Sequence, residues 1–305
     1  MTLEEYAKVL IVAANCILAL AFVVYVAQWG FARKVAADRE LVPVGSSSSD
    51  EVAAERSDVA GGIGFSLTVL SWLVLLVGVV ARGIAAERVP WGNMYEFGTA
   101  AIVVALTAYI ALVRVWSIEW AGPIITGFGT VVLGASMLVY VPAGPLVPAL
   151  DSYWLVIHVL AAMVSGAAFL VGAAASVLYL VKSRAEANTA EDERSGFLWR
   201  IPSSAAIDQV AYRVHAFAFP IWTFAALIAG PIWAHYAWGR YWGWDPKEVW
   251  AFITWVVYAG YLHARATAGW KGKAAAILAL VGFATFVFNF VGVNLFVGGL
   301  HSYAK

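Results

Sequence analysis

Eight stretches of this chain are each apolar enough, over enough residues, to cross a bilayer core of about 30 Å, which takes about 20 helical residues. They lie near Val9–Trp29, Ile63–Ala81, Phe97–Val115, Ile124–Val141, Tyr153–Val181, Ala216–Trp233, Val249–His263 and Ala274–Val297. The fifth and eighth are over-long, which allows tilt or extension beyond the membrane. The seventh is the shortest. Its helix is expected to start near Lys247, with Asp245 as N-cap and Pro246 in the first turn. With 62% hydrophobic and 12% charged residues, the chain reads as an all-α polytopic membrane protein with about eight transmembrane helices in a lipid bilayer.

Basic residues set the expected orientation. Thirteen lysines and arginines, among them Arg33, Lys34, Arg39, Arg213 and Arg265, fall in one set of loops, and six, including Arg82, Arg88, Lys247 and Lys305, in the other. The positive-inside rule puts the larger set in the cytoplasm. Both termini then lie outside, with the Trp91 loop, the Pro142–Ser152 loop and a tryptophan-rich loop. Two cytoplasmic segments, 34–60 and 183–212, are polar and poor in large apolar residues, so they are expected to be flexible linkers. The first divides the chain into residues 1–60, a helix with its linker, and residues 61–305, a seven-helix membrane domain.

Several classes of function are excluded. Net charge is zero, so nothing points to nucleic acid. The single cysteine, Cys16, can form neither an internal disulfide nor a CxxC pair, and reads as a small hydrophobe in the first span. The acidic N-terminus lacks the basic region of a signal peptide, so the first apolar run reads as a retained span. No GxxxxGK[ST] motif is present, so energy from ATP would have to come through another chain.

Residues Trp233 to Trp255 hold six of the fifteen tryptophans around one short polar run. Aromatic rings are common at membrane surfaces, but a broad, flat, apolar ligand is the simplest thing that would need this density. His158, at the outer end of the fifth span, and His301, after the eighth, lie on the same expected side. Imidazole is the usual neutral ligand of haem iron, and two on opposite faces give a six-coordinate centre. The alternative is that each anchors a helix end at the interface. His263 follows Asp245 by 18 residues, about 27 Å of helix, near the inner end of the seventh span. It is either a functional intramembrane histidine or a snorkelling neighbour of Arg265. His215 sits beside Arg213, where interfacial solvation would explain it. His235, inside the aromatic loop, could compete for a ligand or line its site. Asp245, Lys247 and Glu248 form a charged knot. Capping alone would account for Asp245, and Lys247 could meet a propionate. Trp91, Asn93, Tyr95 and Glu96 add to the same face.

The run Trp238-Gly-Arg-Tyr-Trp-Gly-Trp-Asp-Pro-Lys-Glu-Val-Trp-Ala-Phe-Ile-Thr-Trp255 resembles the tryptophan-rich WWD haem-handling proteins, and among them the CcsA (ResC) cytochrome c biogenesis family of System II. The resemblance continues through Tyr261-Leu-His-Ala-Arg265, Asn294–Tyr303, Ser152–His158, Ile207–Arg213 and Asn93–Glu96. It implies that haem b reaches the outer face and is attached to the CxxCH motif of apocytochrome c, as by a haem lyase (synthase) subunit. His158 and His301 would be axial ligands of the external haem. Trp238, Trp242, Trp244, Asp245 and Trp250 would form its platform, with Lys247, Glu248, Asn93 and Glu96 around it. His263 would be one of two membrane haem ligands, the other coming from a CcsB/ResB-type membrane protein. A thioredoxin-like thiol reductant is a further implied partner. The implied setting is a bacterial plasma membrane, or alternatively a thylakoid. A haem exporter or chaperone without attachment activity would share these residues, and a transporter or sensor for another flat ligand is a more distant reading. Where many relatives read Trp-Ala-Asn-Glu-Ala-Trp, this chain reads Trp233-Ala-His-Tyr-Ala-Trp238, losing an acid and gaining His235.

Overall fold

The computed structural model of the chain describes residues 1–32, 48–146 and 148–301. Arg33, Lys34, Arg39 and Lys305, used above for orientation, lie outside the described residues, as do Ser46 and Ser47 of the first expected linker. A lipid interior offers no hydrogen bonds to the backbone, so a spanning segment must satisfy its own amides, which a helix does. The described chain is correspondingly helical, with no β-strand among the described residues.

The helices are α1 (Leu3–Phe31), α2 (Ser48–Ala85), α3 (Met94–Trp116), α4 (Gly122–Leu138), α5 (Tyr153–Asn188), α6 (Phe197–Arg200), α7 (Ser204–Phe224), α8 (Gly230–Trp238), α9 (Pro246–Thr267), α10 (Lys273–Val287) and α11 (Val293–Phe296). A π-turn at Ala225–Ala229 joins α7 to α8 in one continuous helix, and a second at Phe288–Gly292 joins α10 to α11. Seven of the resulting helices are long and apolar enough to cross a membrane. The eighth expected span, α9, is long enough but too polar to meet that standard, since its 22 residues carry Lys247, Glu248, His263 and Arg265. It nevertheless runs about 33 Å. Asp245 before its start bonds His301, and Arg265 near its end makes a two-pronged ion pair with Asp208 at the beginning of α7 (2.8 and 2.9 Å).

The two expected linkers fold differently. Residues 183–212 are largely helical: α5 continues to Asn188, α6 follows, and α7 begins at Ser204. The charges that made this segment look solvated tie it together. Lys182 donates to the Leu198 carbonyl, and Glu186 accepts from the Ser204 amide at 3.1 Å. Residues 48–60 belong to α2, so a division at residue 60 falls inside a helix, and Asp58 pairs with Arg200 across the segments.

Helix α5 occupies the centre. It packs against α3, α7 and α10, and every residue from Ser165 to Ser176 is buried. Nine of those twelve are alanine, glycine or serine, which lets neighbouring backbones approach from all sides. At one end of the bundle a charge cluster ties three helices together. Glu96 at the start of α3 is fully buried. It accepts from Arg82 of α2 (2.9 and 3.0 Å), from Arg88 (2.7 Å) and from the Gly92 amide (2.9 Å). Arg82 reaches on to Glu4 of α1 and to the Val141 carbonyl. Removing the shared carboxylate leaves Arg88 without a counter-ion and Arg82 with Glu4 alone, so Glu96→Ala is expected to cost about 3–5 kcal/mol. Reversible unfolding of the detergent-solubilised chain would measure it, and a loss below about 1 kcal/mol, the range of an exposed pair, would contradict this role.

Candidate functional site

The loop between α8 and α9 is built from both ends. Gly239 closes α8 in the left-handed conformation, and Asp245 caps α9 with Pro246 in the first turn and Glu248 three residues on. Glu248 Oε2 accepts from the amides of Gly243 (2.8 Å) and Asp245 (3.0 Å), so the first turn of α9 holds the loop that precedes it. Trp244 stands at φ 59°, a conformation rare for a bulky side chain and costly unless its surroundings impose it. The residue that follows this turn, Asp245, is buried.

Asp245 organises three elements. Its Oδ1 accepts from His301 Nδ1 (2.7 Å) and from the Lys247 amide (3.2 Å), and its Oδ2 accepts from the Leu300 amide (2.7 Å). A Cβ at Gly299 would lie 2.6 Å from Oδ2, so only glycine allows this approach. Burial raises the Asp245 pKa, but the bonds from His301, Leu300 and Lys247 outweigh it and hold the carboxyl at about 2. Burial also pushes the His301 imidazole below its ordinary range, and Asp245 only partly offsets this. At neutral pH the pair is therefore a carboxylate accepting from a neutral imidazole. The proton sits on Nδ1 and the lone pair on Nε2, the arrangement that aspartate imposes on metal-binding histidines.

His158 reaches a similar state by another route. Its Nδ1 lies 2.9 Å from the Ala225 carbonyl, which can only accept, so the ring donates from Nδ1 and again carries its lone pair on Nε2. Ala225 opens the first π-turn and also accepts from the Gly230 amide. A Cβ at Gly230 would lie 3.1 Å from the imidazole, so the missing side chain makes room for the ring. His158 stacks on Trp233 (centroids 5.8 Å, planes 9° apart), and His301 packs against the same indole at 5.6 Å and against Trp238 at 5.0 Å.

Both histidines line one cavity of about 1000 Å³, counting its mouth. Trp91, Trp222, Trp233, Trp238 and Trp242 line it with Phe97 and Phe290. Polar groups enter from Asn93, Lys247, Glu248, Asn289 and Asn294. The enclosure thus offers two neutral nitrogen donors inside aromatic walls, suited to a flat apolar ligand that carries a metal.

Of the residues singled out from sequence, His158, His301, Trp238, Trp242, Asn93, Lys247 and Glu248 meet at this cavity, with Asp245 directly behind His301. Others lie elsewhere. Trp244 is 67% exposed and stands edge-on to Trp242 and Phe252. Trp250 packs on Phe288 at 4.2 Å. Glu96 is committed to its two arginines and the Gly92 amide, so it holds the Trp91–Asn93 loop from behind. His235 is exposed and stacked on Tyr241 at 4.4 Å, outside the cavity lining. His263 is exposed on α9, about 27 Å from Asp245. His215, expected at a solvated helix start, is fully buried against Phe169, Tyr258 and Tyr261, because α7 begins 11 residues earlier. Sequence reasoning missed Asn289 and Asn294. Polar side chains in an otherwise apolar span were the available signal.

The family described as "Cytochrome C assembly protein" matches residues 61–301, which include every residue lining the cavity. Among curated relatives, the "Cytochrome c biogenesis protein CcsA" of Guillardia theta is 35% identical over 257 residues, covering 79% of this chain and 85% of that one. Its namesake in Synechococcus elongatus (strain ATCC 33912 / PCC 7942 / FACHB-805) is 38% identical over 270 residues, covering 73% and 81%. The chain belongs to the CcsA family of cytochrome c assembly proteins. Its class is therefore cytochrome c biogenesis. A solved structure, "Cytochrome c Heme Lyase CcmF", shares the fold at a TM-score of 0.62 and 15% identity, covering 97% of this chain. This CcsA-family chain spans half the length of that protein.

The depressed Asp245 pKa carries a sign. Its stabilising contribution is complete above the ordinary value of 3.8 and is lost as the pH falls through about 2. Asp245→Asn is expected to lower stability at pH 6 by on the order of 1–2 kcal/mol. The gap to wild type should close between pH 4 and pH 2. Thermal unfolding of both proteins across that range checks this, and a pH-independent gap would contradict it.

Proposed function

We propose that the cavity holds haem b as the substrate of cytochrome c maturation, with His158 and His301 as its axial ligands. The observation that carries this reading is the pair of neutral imidazoles on one indole. Each is fixed through Nδ1, by the Ala225 carbonyl and by Asp245, so that both lone pairs sit on Nε2. Two neutral imidazole donors within aromatic walls suit an iron porphyrin held through its metal. Trp91, Trp233, Trp238 and Trp242 would grip the ring and exclude water.

The acceptor of the haem is the CxxCH segment of an apocytochrome c. Attachment adds each cysteine S–H across a vinyl group: a C–S bond forms, and the thiol hydrogen ends on the neighbouring vinyl carbon. This chain supplies no nucleophile for that step. Its residues hold the ring edge still against the two thiols, and proximity alone is worth several orders of magnitude in rate. A thioredoxin-like reductant would keep the acceptor cysteines reduced. The excess of basic residues in the opposite set of loops supports an extracytoplasmic position for this end of the bundle. His263 has its imidazole exposed on the far part of α9. It would serve a second haem station, with the other ligand supplied by a CcsB/ResB-type membrane partner. The biogenesis role of the relatives and the haem lyase title of CcmF support this assignment.

The purified chain, reconstituted with its membrane partner, haem and an apocytochrome peptide, is expected to yield thioether-linked product. His158→Ala and His301→Ala are each expected to lose at least nine-tenths of that yield, about a tenfold loss of ligand anchoring, and external imidazole should restore part of it. Unchanged yield in both variants would reject the ligand assignment. Haem binding without any thioether product would favour the exporter reading over attachment.

A further inference from the structure

The imidazoles account for the metal, but they say nothing about which edge of the ring faces which wall. The cavity itself is asymmetric in this respect. Three of its polar groups, Lys247, Asn289 and Asn294, lie at or next to Phe290. Lys247 Nζ lies 5.4 Å from the Phe290 ring centre, and Asn289 precedes that residue in the second π-turn. Asn294 donates to the Phe290 carbonyl (2.7 Å), and Phe97 stacks on the Phe290 ring at 4.6 Å.

Two of these groups lack the partners that burial demands. Among the described residues, the Lys247 ammonium makes no hydrogen bond or ion pair. The carboxylates nearest in sequence are already engaged, Asp245 with His301 and the Leu300 amide, Glu248 with the Gly243 and Asp245 amides. Asn289 is 5% exposed, and its Oδ1 has no hydrogen-bond partner. Which end of a buried amide carries the oxygen follows from its bonding, so this side chain can equally present its NH₂ to the cavity. An unpaired cation and an unsatisfied amide that line the same cavity, one over Phe290 and one next to it in the chain, make an incomplete site. What completes it is an anion that accepts hydrogen bonds, because leaving such groups unpaired costs far more than pairing them.

We propose that Lys247 and Asn289 form a carboxylate clamp that fixes the orientation of the porphyrin, holding its propionate edge at the Phe290 corner and turning the vinyl edge to the opposite side. This rests on the haem reading above and extends it. A ring held only by its iron can rotate about the axial bonds, whereas an anchored edge presents the same vinyl carbons to the acceptor on every cycle. The clamp also makes the cavity selective for porphyrins with free carboxylates over neutral ones of the same shape.

The test changes the ligand before it changes the protein. The full chain in lipid nanodiscs is titrated with ferric haem b and with its dimethyl ester, and binding is followed in the Soret region. Charge-assisted hydrogen bonds predict that the ester binds on the order of ten- to a hundredfold more weakly. Lys247→Met should shrink that ratio to near one while the low-spin spectrum of two imidazoles persists. Lys247→Arg should keep most of the ratio, and Asn289→Leu should reduce it in part. Equal affinity for acid and ester in the wild type would overturn the clamp and leave the haem site standing, whether or not a variant folds. An undiminished ratio in a folded Lys247→Met protein would overturn it too. If neither ligand gives a low-spin spectrum in the wild type, the haem reading falls and the clamp falls with it.

Discussion

The Asp245 carboxylate is the point on which the site depends. It caps α9, closes the tryptophan-rich loop against that helix, and pins Leu300 and His301 from the far end of the chain. A single buried anion therefore sets both the position and the tautomer of one imidazole. Without it, burial would still keep His301 neutral, but nothing would choose between its two tautomers. The neighbouring groups follow from the same constraint: Gly299 because no Cβ fits beside Oδ2, and Glu248 because the loop amides must be satisfied before Asp245 can point inward.

The rest of the bundle supports this point by two devices of opposite polarity. The small-residue surface of α5 draws its neighbours close and gives His158 a rigid base. The π-turn after α7 then brings the Ala225 carbonyl to that ring. At the cavity end the buried cluster of Glu96, Arg82, Arg88 and Glu4 ties α1, α2 and α3 to the loop that carries Trp91 and Asn93. The first device works by packing and the second by charge. Both determine where the indoles stand: Glu96 holds the Gly92 amide next to Trp91, and Phe169 of α5 stands edge-on to Trp222.

Much of the architecture could be read from the sequence because bilayer thickness imposes a length on each apolar run. The α9 cap was equally legible, since Asp-Pro-Lys-Glu leaves few other conformations. The convergence of His158 and His301 followed from counting helix crossings. What escaped were features that depend on the third dimension. Charged residues in 183–212 read as solvated, whereas Glu186 within that segment and Lys182 just before it spend their charge within the fold. Helix α7 starts a full three turns before its apolar run, and this places His215 in the core. Glu96 resembled a site residue because its two arginine partners are distant or unremarkable in sequence. Trp244 and Trp250 share the composition of the cavity-lining tryptophans but sit on other faces of the loop and helix, a distinction that composition cannot make. The π-turns left no sequence signal of their own, and Asn289 was legible only as a polar side chain in an apolar span.

The proposed function rests on two imidazoles held to one metal. The most direct measurement is electron paramagnetic resonance of the purified chain loaded with ferric haem b. Two neutral histidine ligands predict a low-spin rhombic signal with nitrogen couplings from both imidazoles, collapsing to one in either single histidine variant. A high-spin axial signal in the wild type, or a low-spin signal unaffected by changes at 158 and 301, would contradict it.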